Sequence, residues 1–267
     1  MGELDYVGKR IPRKDGPDKV TGRAVYTVDL QLKNMLVGRI LRSPYAHARI
    51  VHIDTERALQ VPGVKAIITG QDTLGIKHGF VETPRYPADQ YVLAMDTVRF
   101  VGEEVAAVAA TNLYAADEAL RLIEVTYEPL PAVFDPEAAM LPGAPEIHST
   151  HPKVKENLVN IGGKTTSQWG DVEAGFEEAD HVREDRFESH LRTHGYLEPQ
   201  VTVASYEQDG KLNVWTSSQG PFLKRAKLAK TLGLPFSSVR VQKAYVGGAF
   251  GGKIDLFSHD FVLQHFP

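Results

Sequence analysis

The sequence predicts an α+β protein in two parts, on three observations. Residues 104–128 read strand, helix, strand; residues 201–216 read as a β-hairpin; and a proline-punctuated stretch separates the two. In the first, Glu104-Val-Ala-Ala-Val-Ala-Ala110 is a continuous apolar run. Asn112 is an N-cap signal, and Leu113, Ala116, Leu120 and Ile123 follow at helical spacing before alternation returns in Glu124-Val-Thr-Tyr-Glu128. These elements form a candidate βαβ unit. In the hairpin, Asp209-Gly210 is the turn between residues 201–206 and 212–216.

The other elements follow in order. Residues 1–20 are polar, with a basic cluster at Lys9-Arg-Ile-Pro-Arg-Lys14, and read as an arm that either lies on a larger surface or is solvated. Residues 21–135 are expected to be one α+β domain, with further strands at 36–41 and 64–69. Pro131, Pro136, Pro142, Pro145 and Pro152 make 136–165 a linker, and the second domain occupies 166–267. Within it a short helix is expected over 171–179 and a strand over 182–189. A basic amphipathic helix starts near Pro221, stops at Gly233 and carries lysines expected on a solvated face.

Composition bounds the function. With 267 residues, 42% hydrophobic and 24% charged, the chain is an ordinary globular one; its formal net charge of −4 argues against a nucleic-acid footprint. It has no cysteine, which excludes disulfides, thiolate nucleophiles and cysteine-held clusters within the chain. No run is apolar for long enough to span a membrane and no leader-like apolar segment opens the chain, so a cytoplasmic protein is expected.

Four glycines surround one aromatic residue in Tyr245-Val-Gly-Gly-Ala-Phe-Gly-Gly-Lys253. Such a loop can bring backbone N–H groups against a ligand oxygen. Residues 238–246 lead into it as a strand, and Ile254, Phe257, Phe261 and Leu263 or Gln264 predict a helix after it. Gly247 to Lys253 satisfies the first seven positions of a P-loop, but the eighth is Ile254, which supplies no Mg²⁺ ligand.

The histidines yield no metal site. His190, His194 and Glu198 have ligand spacing only on a helix; on a strand, residues four apart lie roughly 13 Å from each other, too far to share a metal ion. His148 and His151 lack a third ligand nearby. Ser43 precedes Pro44 in a turn, with no activating base beside it in sequence.

Five motifs occur in register: Gly22-Arg-Ala-Val-Tyr-Thr-Val-Asp29, Arg42-Ser-Pro-Tyr-Ala-His-Ala-Arg49, Val101-Gly-Glu-Glu-Val-Ala-Ala-Val108, Val125-Thr-Tyr-Glu-Pro-Leu-Pro131 and Val246-Gly-Gly-Ala-Phe-Gly-Gly-Lys253. In this the chain resembles the molybdenum-binding subunits of the xanthine dehydrogenase and aldehyde oxidase family, from about Gly8 to Asp260. The resemblance implies an α/β hammerhead domain followed by the first part of a molybdopterin-binding α+β domain. It also implies that Gln219 and Phe250 meet the molybdenum ligand sphere, and that Gly247, Gly248 and Gly251 help bind the cofactor. Where purine-oxidising members carry a substrate-binding glutamate, this chain has Ile254, so xanthine is not the expected substrate; Ile254 itself is a possible substrate contact.

Members of the family continue well beyond this loop, and their general base lies there, so no catalytic residue is assigned in this chain. The expectation is a split subunit or a truncated product, inactive alone. It would share molybdenum-molybdopterin, in its cytosine dinucleotide form, with a second molybdopterin-binding subunit, and would work with [2Fe-2S] and FAD subunits on a small-molecule substrate, without nucleic acid or membrane. A non-catalytic assembly scaffold and a nucleotide-binding module built on residues 247–253 are the alternatives.

Overall fold

The computed structural model describes residues 4–79, 88–148, 160–161 and 166–263. After helix α1 (Gly16–Val20), the first part contains strands β1 (Val37–Arg42) and β2 (Ala48–Asp54), helix α2 (Glu56–Leu59) and strands β3 (Val64–Thr69), β4 (Lys77–His78), β5 (Gln90–Tyr91), β6 (Thr97–Val98) and β7 (Glu104–Ala110). Helix α3 (Leu113–Leu122) and strand β8 (Glu124–Pro129) complete it. Helix α4 (Pro136–Ala139) lies in the proline-rich stretch, and the second part comprises α5 (Val172–Glu177), β9 (Thr202–Tyr206), β10 (Leu212–Thr216), α6 (Pro221–Thr231), β11 (Val239–Lys243) and α7 (Ser258–Val262). Among the described residues, no helix is long and apolar enough to cross a membrane.

Strand β7 is the spine of the first part. It lies between β1 and β3 in an antiparallel sheet, and Val105–Ala110 are all buried. Its alanines leave room for α3 to pack closely through Ala115, Ala116 and Ala119, also buried. Asn112 caps α3 as expected, its side chain accepting from Ala115 N at 2.9 Å.

The expected βαβ unit over 104–128 does not form as such. Strand β7 belongs to the β1-β7-β3 sheet and β8 to a separate β6-β2-β8 sheet, so α3 links two sheets and is no parallel crossover. The reason is β2, a strand the sequence conceals because a bulge between Ile50 and His52 breaks its alternation while it pairs with β8.

The parallel unit lies in the second part. Strand β10 pairs antiparallel with β9 through the expected hairpin, and parallel with β11 in the register Leu212↔Val239 to Thr216↔Lys243. Helix α6 is the crossover. Both parts share one core, in which Ile68, Val92, Leu93 and Ala107 pack with Leu212, Leu228, Val239, Leu256 and Phe261. The proline-rich stretch is tied down where it is described: Asn160 accepts from Ile147 N at 3.0 Å and donates to Pro145 O at 2.8 Å.

Two expectations are corrected here. Residues 182–189 form no strand; Val182 and Phe187 are exposed and no strand among the described residues pairs with them, so alternation alone does not hold the segment in a sheet. Of the three lysines of α6, only Lys230 is solvated; Lys224 and Lys227 are buried. Lys224 is 2% exposed and 2.6 Å from the buried Asp260, which also accepts from Thr202 Oγ1 at 2.6 Å. Lys227 meets Asp255 at 2.9 Å and Gly79 O, whereas Phe222 and Leu223 face outward. Helix α6 thus turns cations inward because the segment after the glycine loop supplies buried carboxylates to meet them.

Replacing Lys224 by Met strands the Asp260 charge in the core and is expected to cost about 3–5 kcal/mol. The exposed Lys230→Met change is expected to stay within about 0.5 kcal/mol. Urea unfolding of the two variants checks the contrast.

Candidate functional site

Because β10 and β11 run parallel, their carboxyl ends lie at one edge of the sheet, and the loops that leave them meet there. Ligands bind at this kind of edge in open sheets. The loop after β10 carries Ser217, Ser218 and Gln219; the loop after β11 carries the glycines.

The two loops are joined by the side chain and backbone of Gln219. Its backbone N–H donates to Lys253 O at 2.9 Å. Its Oε1 accepts from the N–H groups of Gly251 at 3.1 Å and Lys253 at 3.3 Å. Both partners are donors, which fixes the amide orientation: oxygen toward the loop, and the NH₂ group without an acceptor among the described residues. The backbone N–H groups of Gly248, Ala249 and Phe250 likewise have no acceptor there.

Gln219, Gly248, Ala249 and Phe250 line an open groove of about 910 Å³, together with Trp215 and Tyr245. Phe250 sits at φ +50°, a left-handed conformation uncommon outside glycine, and the residue is 74% exposed. Gly251, at φ +93°, borders a second hollow of about 350 Å³ with His194, Tyr196 and Gln200. The structure therefore brings Gln219, Gly248 and Phe250 to one groove, with Gly251 as their tie. Gly247 and the half-buried Ile254 line neither hollow.

What lies behind the loop requires glycine at two positions and crowds a third, Gly248, whose φ of +96° favours glycine in any case. A Cβ on Gly247 would stand 2.7 Å from Glu198 Cβ; on Gly252, 2.8 Å from the Tyr196 ring and 2.9 Å from that of His194; on Gly248, 3.3 Å from Tyr196 Cβ. The sequence pattern signals close approach, and that approach is by residues 194–198 as well as by any ligand.

The expected helix after the loop is only α7, five residues long and starting at Ser258, because residues 250–255 turn; Gln264 lies outside the described residues. The loop is thus not the N-terminus of a helix. Lys253 is fully buried and bonds to Glu198 Oε2 at 2.8 Å, so it cannot serve the groove as a P-loop lysine would. Asp255, bonded to Lys227 and to its neighbour Leu256 N, is committed as well.

The remaining candidates separate. No group of three metal-binding side chains occurs among the described residues; His190 and His194 are exposed, and His151 lies outside those residues. Ser43 Oγ accepts from Tyr45 N at 3.0 Å within its own turn, while His47 Nδ1 bonds to Pro131 O at 2.7 Å. Neither activates the other.

Sequence reasoning missed two contributors. The N-terminal arm is a wall of the groove: Arg13 and Lys19 line it, Lys19 Nζ donates to Val246 O at 3.3 Å, and Tyr245 OH donates to Asp18 at 2.6 Å. The other is Glu198, which the sequence offers only as a metal-ligand candidate; its partners here lie some fifty residues away and leave no local signal.

A Gly247→Ala variant is expected to lose about 1–3 kcal/mol, since the clash is with a Cβ rather than with a movable side-chain end. Gly175→Ala, in the open on α5, is expected to be neutral or slightly stabilising. Thermal unfolding of both variants reads the difference.

Comparison with known proteins identifies both parts of the chain. Residues 21–131 match the aldehyde oxidase and xanthine dehydrogenase a/b hammerhead domain, and residues 150–265 match the molybdopterin cofactor-binding domain. A probable xanthine dehydrogenase subunit of Bacillus subtilis is 37% identical, over 91% of this chain and 31% of its own length. The nicotinate dehydrogenase large molybdopterin subunit of Eubacterium barkeri is 36% identical, over 96% and 58% respectively. Quinoline 2-oxidoreductase of Pseudomonas putida 86 superposes with a TM-score of 0.87 at 32% identity, over 97% of this chain and 33% of that one. The chain therefore spans from about a third to somewhat over half the length of these relatives. The two domain matches, which together take in most of the chain, place it in the family of molybdenum-binding subunits of xanthine dehydrogenases and aldehyde oxidases.

Proposed function

We propose that the chain is a subunit of a molybdenum hydroxylase-type oxidoreductase complex and helps to bind its molybdenum-pterin cofactor. The observation that carries this reading is the Gln219 amide, held by two backbone N–H groups so that its own NH₂ is left for a ligand. Beside it, the N–H groups of residues 248–250 lack acceptors among the described residues, so the edge of the groove is a set of neutral donors suited to the oxygen ligands of a metal. Gln219, Phe250, Gly248 and Gly251 are the residues that would hold the cofactor's metal end. When bound, that cofactor supplies two-electron redox chemistry at carbon, with oxygen derived from water. The part of this chain is to place hydrogen-bond donors without adding charge, and to keep them in place before the ligand arrives.

The substrate class is an aromatic, heterocyclic, aldehyde or acyl-CoA compound, hydroxylated or, in the reverse sense, reduced. Two of the relatives are named for nicotinate and quinoline, both nitrogen heterocycles, which favours a heterocycle within that range. The general base is read as lying outside this chain. Trp169, Phe187, Leu191 and Leu197 are each more than four-fifths exposed along 166–199, an apolar display suited to a covering chain. The same reading gives the cofactor as its cytosine dinucleotide form, assigns the [2Fe-2S] and FAD centres to other subunits and places the complex in the cytoplasm.

In the purified complex, Gln219→Ala is expected to lower kcat by about 10²–10³, as loss of one oriented donor does elsewhere, with molybdenum retained. Turnover of a panel of N-heterocycles and aldehydes, alongside elemental analysis, measures both. Unchanged turnover would remove Gln219 from the reaction and leave the chain a scaffold.

A further inference from the structure

Tyr196, Glu198 and Gln200, half-buried between exposed neighbours, stand behind the glycine loop and grip both of its ends. At the first end, Glu198 Oε2 accepts from Gly247 N at 2.7 Å, and the Glu198 N–H donates to Gly247 O at 3.2 Å. At the second, the same Oε2 accepts from Lys253 Nζ at 2.8 Å, Gln200 Nε2 donates to Gly252 O at 2.7 Å, and Lys253 Nζ lies 4.7 Å from the centre of the Tyr196 ring. Only residues 248–251 lie between these holds, and they include the groove-lining residues. The pair of Lys253 with Glu198 is 0% and 8% exposed, so the bonds act in a medium where breaking either strands a charge. The missing Cβ atoms of Gly247, Gly248 and Gly252 are what let this rail approach.

We propose that Glu198 and Gln200 are positioning residues for the cofactor, acting through the glycine loop: they hold its donors in their binding shape. The proposal rests on the reading that this loop faces the molybdenum cofactor. One carboxylate oxygen joining Gly247 N–H to the Lys253 ammonium fixes the span of the loop, as a strap fixes an arch. The glycine loop alone could not keep that span, because glycine backbone is the most expensive to order.

The test uses the purified complex carrying Glu198→Ala, or the double change Glu198→Gln with Lys253→Met, which keeps an acceptor for Gly247 and removes the buried charge. Hydrogen exchange by mass spectrometry follows peptides over 247–253 and over β10 and α6, and elemental analysis gives molybdenum per complex. In Glu198→Ala, loop amides are expected to exchange about tenfold faster or more with β10 and α6 unchanged, and molybdenum to fall severalfold. The double variant is expected to recover both to within about twofold. The proposal is overturned if loop exchange and metal content do not move, or if faster exchange spreads equally over β10 and α6. Wild-type complex without molybdenum would instead sink the functional reading, while the exchange comparison would still judge the clamp.

Discussion

The parallel pairing of β10 and β11 is the constraint on which the rest of the site depends. Parallel strands joined by a crossover helix must present their carboxyl ends at the same edge, so Gln219 and the glycine loop meet although some thirty residues separate them. Once they meet, the Gln219 carboxamide closes the contact by accepting from Gly251 and Lys253, and its amino group is left as a donor. Reversing the direction of β11 would put the glycines at the opposite edge and leave Gln219 with nothing to brace it.

That pairing is secured by charges as well as by apolar packing. Lys224 with Asp260, Lys227 with Asp255 and Lys253 with Glu198 are all ion pairs with little exposure, and two of them tie the crossover helix to the segment that follows the loop. Burying such pairs costs several kcal/mol per ion before their attraction returns it, so they are weak as net stabilisers. We read them as registry devices. An apolar contact tolerates sliding, whereas a buried ammonium accepts only the position in which its carboxylate and hydroxyl partners reach it. Thr202 completes one of these arrangements by donating to Asp260, bringing β9 into the same network.

The legible part of the fold is the part written in local chemistry. Asn112 ahead of an apolar repeat marks α3, Asp209-Gly210 marks the hairpin, and Pro221 with Gly233 brackets α6. What stays hidden depends on distant partners. A bulge in β2 breaks the pattern that would reveal it, and with it the fact that β7 and β8 lie in different sheets. Lys224 and Lys227 look solvated in sequence because the carboxylates that meet them lie about thirty residues away. At the site, the motif resemblance points to Gln219 and Phe250, and the structure brings both to the same groove. Glycine richness signals room for a ligand; the geometry divides that room, giving Gly247, Gly248 and Gly252 to the rail behind the loop and leaving backbone N–H groups for the groove. In sequence Glu198 stands out only as a metal-ligand candidate with His190 and His194. A carboxylate paired with a buried lysine has no local signature.

On the proposed function, a molybdenum centre sits at the β10–β11 edge against Gln219 and the 248–250 backbone. An anomalous difference map recorded at the molybdenum absorption edge, from crystals of the purified complex, tests it most directly. A strong peak is expected in the groove facing the Gln219 amide and Phe250. A molybdenum peak elsewhere in the complex, with that groove empty or filled by protein, would contradict it.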